Sequence, residues 1–197
     1  MNLPNKLTML RILMIPLFIV CFYLPKSWVA FTYNGIDSQI RYTIAAIVFL
    51  LAYVTDTIDG RLARKKGLVT DFGKLMDPTA DKLLTSAALI MLCKFEVMSM
   101  GNFLMPVFTF IVIGREVFVS GIRQLAASKG KVIAAKNIGK VKTTLQFIAI
   151  FVTLLGGMFF KSVDVPIDFI LMCVAVALTI WSGIDYTVES RDLFKQC

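Results

Sequence analysis

The sequence predicts an all-α integral membrane protein: one domain of six transmembrane helices, with a polar cavity facing the cytoplasm. Three observations carry this. The 197 residues are 57% hydrophobic, with a mean hydropathy of +0.77, too apolar for a soluble domain of this length. Six apolar runs recur, near the ~20 residues that cross a hydrocarbon core. The basic residues gather at the ends of these runs and between them.

The first span covers about residues 7–24 and the second 40–53, continuing toward 64. The others cover about 73–93, 103–125, 141–160 and 167–186. All are expected to be helical, because lipid offers the backbone no hydrogen-bond partner. Lys26, Arg41, Lys94 and Lys161 fall at one side of the membrane, and the other seventeen of the 21 basic residues fall at the opposite side or in span ends facing it. By the positive-inside rule that richer side is cytoplasmic, with both termini. A net charge of +8 then speaks for anionic lipid headgroups rather than nucleic acid. No cleavable leader is expected, since MNLPNKLTMLR runs into an apolar stretch without a small-residue cleavage site.

Element by element, NKLTMLR sets Asn5, Thr8 and Arg11 at successive i, i+3 positions. This is either a capped helix start anchored at the interface or a polar stripe that touches a ligand, and the two are compatible. Pro16 is expected to kink the first helix. The segment from Pro25 to Gln39, with Trp28, Phe31 and Tyr33, reads as an interfacial aromatic belt. The third span carries Asp77, Asp81 and Lys82 in its first turns, so those charges must face a wet cavity or other helices. The fourth holds Arg115 and Glu116 well inside an apolar run, with Arg123 two turns on. Arg115 reads either as half of a structural ion pair or as part of an anion pocket. Lys129, Lys131 and Lys136 read as a solvated, lipid-facing loop. Gly156–Gly157 and CVAVALTIWSG supply small residues for close helix packing.

The chemistry concentrates in DTIDGRLARKKGLVTDFGKLMDPTAD. Asp56 and Asp59 are i, i+3, and Asp77 and Asp81 are i, i+4, so each pair shares a helix face. The basic, glycine-punctuated connection would fold the two helices back and bring the pairs together. Four converging carboxylates repel one another, and a pair of divalent cations answers that economically. His is absent, and Cys21, Cys93, Cys173 and Cys197 are scattered and read as buried apolar thiols. With oxygen ligands alone, hard ions such as Mg²⁺ or Mn²⁺ are expected.

The pattern D-x2-D-G-x2-A-R-x8-G-x3-D-x3-D is matched by Asp56, Asp59, Gly60, Ala63, Arg64, Gly73, Asp77 and Asp81. It resembles the signature of the CDP-alcohol phosphatidyltransferases. The resemblance implies attack of an alcohol on the β-phosphorus of CDP-diacylglycerol, with release of CMP. It makes Asp56, Asp59 and Asp77 chiefly metal ligands, and Asp81 the general base, also touching a metal. The residues alone do not order the roles of the four. Asn5, Thr8, Gly60, Ala63, Arg64, Thr70 and Gly73 are then expected to bind CDP-diacylglycerol, although Gly60 and Ala63 also read as helix packing. GREVFVSGIR and GKVKT are most similar to members whose acceptor is sn-glycerol 3-phosphate. Arg115, Arg123, Lys140 and Lys142 would hold its phosphate. The resemblance also implies a homodimer. The same chemistry on inositol phosphate is the nearest alternative. A divalent-cation transporter would need acidic residues through the depth of the bundle, and these cluster at one face.

Overall fold

The computed structural model describes residues 3–25, 27–33, 36–66, 71–129, 137–156 and 165–191; the side chains of 3–8, 29–38, 56–66, 71–78 and 137 lie outside that description. The six expected helices are all present: α1 (Leu3–Cys21), α2 (Ile40–Lys66), α3 (Asp71–Phe95), α4 (Met105–Ser128), α5 (Asn137–Gly156) and α6 (Ile167–Glu189). Among the described residues, three helices are long and apolar enough to cross a membrane: 102–128 (with a 3₁₀ turn ahead of α4), 138–156 and 167–189. Shorter apolar helical stretches cover Met9–Cys21 and Ile40–Thr55. The charges of the aspartate-bearing turns cut the apolar length of α2 and α3.

The fold is not purely helical. Where an aromatic belt was expected, β1 (Val29–Tyr33) and β2 (Ile36–Gln39) form an antiparallel hairpin, with Tyr33 opposite Ile36. Aromatic and β-branched residues suit a strand as well as an interface, and the composition alone did not separate the two. Trp28, just before β1, is exposed as the belt reading expects.

The helices form a closed ring. α2 packs on α5, α5 on α6, α6 on α4 and α4 on α3, while α1 lies against α2 and α3. Lipid gives helices no hydrophobic reason to associate, so close packing must hold the ring. Ala45, Ala46, Ala52, Ala88, Ala149 and Ala175 are fully buried at the crossings, around Phe18, Phe22, Phe49, Leu92 and Met172. Large apolar side chains face outward instead: Leu13, Phe110, Val117 and Trp181 are each more exposed than buried. Arg11, Lys142, Gln146, Asp168 and Ser182 are buried. This apolar-outside, polar-inside arrangement is that of a protein solvated by lipid. Thr153 and Thr179, buried on α5 and α6, each donate to the carbonyl four residues back, which satisfies the hydroxyl without a partner helix.

One end of the ring is tied by polar contacts. Asp168, fully buried at the start of α6, accepts from the Ser99 amide at 2.7 Å and from the Ser99 hydroxyl. Asn102 brackets Met98, accepting from its amide at 3.1 Å and donating to its carbonyl at 2.9 Å. Gly101 sits there at φ +73°, and a Cβ at this position would come within 2.4 Å of the Phe169 ring. At the same end, Arg41 donates to the Tyr42 hydroxyl at 2.6 Å and lies 4.5 Å from its ring centre. Lys94 donates to the Tyr23 hydroxyl at 2.7 Å. Gly101→Ala is expected to cost about 1–3 kcal/mol, from the left-handed backbone and the clash together. The measure is the thermal unfolding midpoint in detergent. An unchanged midpoint would mean this loop does not limit stability.

Candidate active site

At the other end of the ring, a cleft opens between α2, α3, α4 and α5. Its walls are Phe49 and Tyr53 of α2; Asp81, Lys82, Leu84 and Thr85 of α3; Glu116 of α4; and Lys142, Thr143, Gln146 and Phe147 of α5. The α2–α5 side is aromatic. Phe147 stacks on Phe49 with ring centres 5.1 Å apart and on Tyr53 at 3.7 Å. The α3–α4 side is charged.

Glu116 organises the charges. Its Oε1 accepts from Arg115 Nη1 at 2.9 Å and also from Lys142 Nζ, so one carboxylate oxygen joins α4 to α5. Lys142 is 2% exposed, too buried to stay charged without such a partner. Lys82 donates to the Ser120 hydroxyl, which donates to the Glu116 carbonyl. Lys82, Arg115 and Lys142 are thus gathered around Glu116, in a cleft that Asp81 also lines.

α6 holds the two arginines from behind. Arg115 Nη2 donates to Ser182 at 2.6 Å. Arg123 donates to the Tyr186 hydroxyl through Nε at 3.2 Å and Nη2 at 2.6 Å. The Tyr186 ring lies 6.0 Å from the Arg115 guanidinium and 5.2 Å from that of Arg123, within cation–π range. Ser182 and Tyr186 are i, i+4, one face of one helix. Gly183 leaves room for the Arg115 stem: a Cβ there would lie 3.3 Å from Arg115 Cγ.

Of the expected site residues, Asp81 and Lys142 line the cleft, and Arg115 reaches it through Glu116. Arg123 sits two turns along α4, exposed, on Tyr186. Lys140 is exposed and two residues from Lys142, so on a helix it falls on the opposite face, away from the cleft. Asp56, Asp59, Gly60, Ala63 and Arg64 lie on α2 beyond Tyr53, and Gly73 and Asp77 on α3 ahead of Asp81. Asn5 and Thr8 lie on α1. The side chains of these positions, and Thr70 altogether, lie outside the described residues. Among the described residues no three His, Cys, Asp or Glu side chains converge as a metal site.

A family model for CDP-alcohol phosphatidyltransferase matches residues 1–181. The chain belongs to that family. It is similar to the CDP-diacylglycerol–glycerol-3-phosphate 3-phosphatidyltransferase of Bacillus subtilis (strain 168), at 40% identity over 195 residues, 98% of this chain and 97% of the relative. A protein of the same name from Sodalis glossinidius is 37% identical over 200 residues, covering 99% and 98%. One from Rickettsia felis is 35% identical over 198 residues, covering 100% and 95%. As a CDP-alcohol phosphatidyltransferase with long apolar helices, the chain is a membrane protein.

Sequence reasoning placed Glu116 in an apolar run but gave it no task, and it left Ser182, Tyr186 and Gln146 aside. The available signal was charge adjacent to charge at membrane depth. Removing the shared carboxylate by Glu116→Ala should cost about 3–5 kcal/mol, because Lys142 and Arg115 would be left buried without it. The thermal midpoint in detergent reads this. Adding Lys142→Met should recover part of the loss, and strictly additive losses would show that the two residues are not coupled.

Proposed function

We propose that this chain transfers the phosphatidyl group of CDP-diacylglycerol to sn-glycerol 3-phosphate, giving phosphatidylglycerophosphate and CMP at the cytoplasmic face of the cell membrane. The observation that carries the reading is a cleft lined by a carboxylate, Asp81, together with the cations Lys82 and Lys142, with Arg115 joined to Lys142 through Glu116. This is the arrangement needed by an acceptor with an anionic tail and a hydroxyl head. Full-length similarity to relatives named for this reaction supports it.

In this reading Arg115 and Lys142 bind the acceptor phosphate through charge-assisted hydrogen bonds, with Glu116 holding the charged ends of both in place. Arg123 and Lys140, exposed, would draw the anion toward the cleft. The acceptor then lies with its primary hydroxyl toward Asp81. That hydroxyl oxygen attacks the β-phosphorus, its proton passes to Asp81, and the bond from phosphorus to the CMP oxygen breaks. Asn5, Thr8, Gly60, Ala63, Arg64, Thr70 and Gly73 would cradle the CDP-diacylglycerol. The apolar outer faces of the helices let the donor's acyl chains remain in lipid.

The donor set fits divalent cations. Asp81 presents an all-oxygen ligand to the cleft, and α2 and α3 carry Asp56, Asp59 and Asp77 on unbroken helical turns. Two Mg²⁺ or Mn²⁺ ions held by these four would neutralise the diphosphate and stabilise the leaving phosphate. The homodimer implied by the sequence resemblance is part of the same reading.

The test is CMP release by detergent-purified protein given CDP-diacylglycerol, Mg²⁺ and sn-glycerol 3-phosphate. Release should require all three, and Asp81→Asn should lower kcat by about 10²–10⁴-fold. Arg115→Ala should raise KM for sn-glycerol 3-phosphate, with little change in KM for CDP-diacylglycerol. Release with inositol phosphate but not with glycerol phosphate would overturn the choice of acceptor.

A further inference from the structure

Gln146 stands out among the cleft residues. It is 3% exposed, and its amide nitrogen has no hydrogen-bond partner. A buried donor left unpaired is costly, and most buried polar groups in folded proteins are paired. It is more conspicuous at membrane depth, where lipid supplies no substitute. The neighbouring hydroxyls do not show this. Thr85 donates to the Asp81 carbonyl at 3.0 Å, and Thr143 to the Gly139 carbonyl at 2.9 Å. Gln146 therefore has the mark of a group kept for a ligand.

Its place defines which part of a ligand it meets. Gln146 is one turn past Lys142 on the same face of α5, and both line the cleft with Asp81. Lys142 belongs to the cationic group, and Asp81 stands on α3 across the cleft. The apolar part of the lining, Phe49, Leu84 and Phe147, offers no hydrogen bond, and the Thr85 and Thr143 hydroxyls already donate to their own helices. A ligand with its phosphate at Lys142 and its reacting hydroxyl at Asp81 has one polar group between these ends, a hydroxyl on the middle carbon. Rotating the last torsion of a glutamine exchanges its NH₂ and C=O, so the side chain can donate to that hydroxyl or accept from it.

We infer that Gln146 is a specificity-determining residue that hydrogen-bonds the middle-carbon hydroxyl of the acceptor, selecting a vicinal diol phosphate over a simple hydroxyalkyl phosphate. The inference rests on the function proposed above. It adds a rule for acceptor choice that the phosphate-binding cations do not supply, since they would hold either phosphate equally. A site built to pair a hydroxyl rejects the analogue that lacks it, because the protein's own polar group is then left unpaired.

The experiment compares CMP release with sn-glycerol 3-phosphate and with 3-hydroxypropyl phosphate, which lacks only the middle hydroxyl. Wild-type protein should prefer the first by about 10- to 100-fold in kcat/KM. Gln146→Met, unbranched and of similar length, should bring the two within about threefold of each other, chiefly by lowering kcat/KM for sn-glycerol 3-phosphate. Its KM for CDP-diacylglycerol should stay unchanged, which a general structural defect would not allow. A wild-type protein that does not discriminate would overturn the inference without any variant, as would Gln146→Met that keeps the full preference. In both cases turnover of sn-glycerol 3-phosphate leaves the proposed function standing. Failure of wild-type protein to release CMP with either acceptor would instead remove the reading on which the inference rests.

Discussion

A charge inside a lipid-solvated bundle must find its partner in the protein, and this condition shapes the active end of the molecule. Glu116 meets it for two cations at once. Its carboxylate oxygen receives Arg115 from its own helix and Lys142 from α5, so the contact that permits the charges also sets the spacing of two helices. Removing one charge would not simply relax the site, because the others were placed against it. The polar groups behind it follow the same logic. Ser182 and Tyr186 hold Arg115 and Arg123 from α6, and Ser120 holds Lys82. The cleft is therefore a fixed frame, ready for an anion before one arrives. Such preorganisation spares the reaction the reorganisation that water would require.

The aromatic wall has the complementary task. Phe49, Tyr53 and Phe147 stack between α2 and α5 and give that side of the cleft a rigid apolar surface. α2 continues from Tyr53 into the turns that carry Asp56 and Asp59. The same helix thus anchors the ring through its aromatic side chains and runs on into the aspartate-bearing turns. A low-dielectric wall beside the charged one also strengthens every electrostatic contact in the cleft.

Much of this was legible in the sequence, and the parts that were not share a cause. The six helices follow from hydropathy, since lipid admits few alternatives for the backbone. Asp81 was singled out by its four-residue spacing from Asp77, and Lys142 by the GKVKT segment; both line the cleft. The partnership of Glu116 with Lys142, 26 positions later, was not, because a single sequence records periodicity along each helix and not the pairing between helices. Lys140 and Lys142 look equivalent in GKVKT, yet a two-residue step on a helix sends one outward and buries the other. Gln146 is an unremarkable residue in an apolar run; only its burial and its unpaired amide single it out. The hairpin at 29–39 was read as an interfacial aromatic belt because aromatic residues serve strands and interfaces alike.

The dependence of the arginines on α6 bears on how the molecule is made. Helices enter the bilayer in order of synthesis, and α6 is the last of the six to leave the ribosome. Until it arrives, Arg115 and Arg123 lack Ser182 and Tyr186, and at the other end Ser99 lacks Asp168. The nascent bundle would therefore pass through a stage with polar groups facing lipid at both ends, and docking of one helix would settle both. That stage would be a natural point for insertion machinery or quality control to act, since a chain stalled before α6 would display its unfinished charges within the membrane.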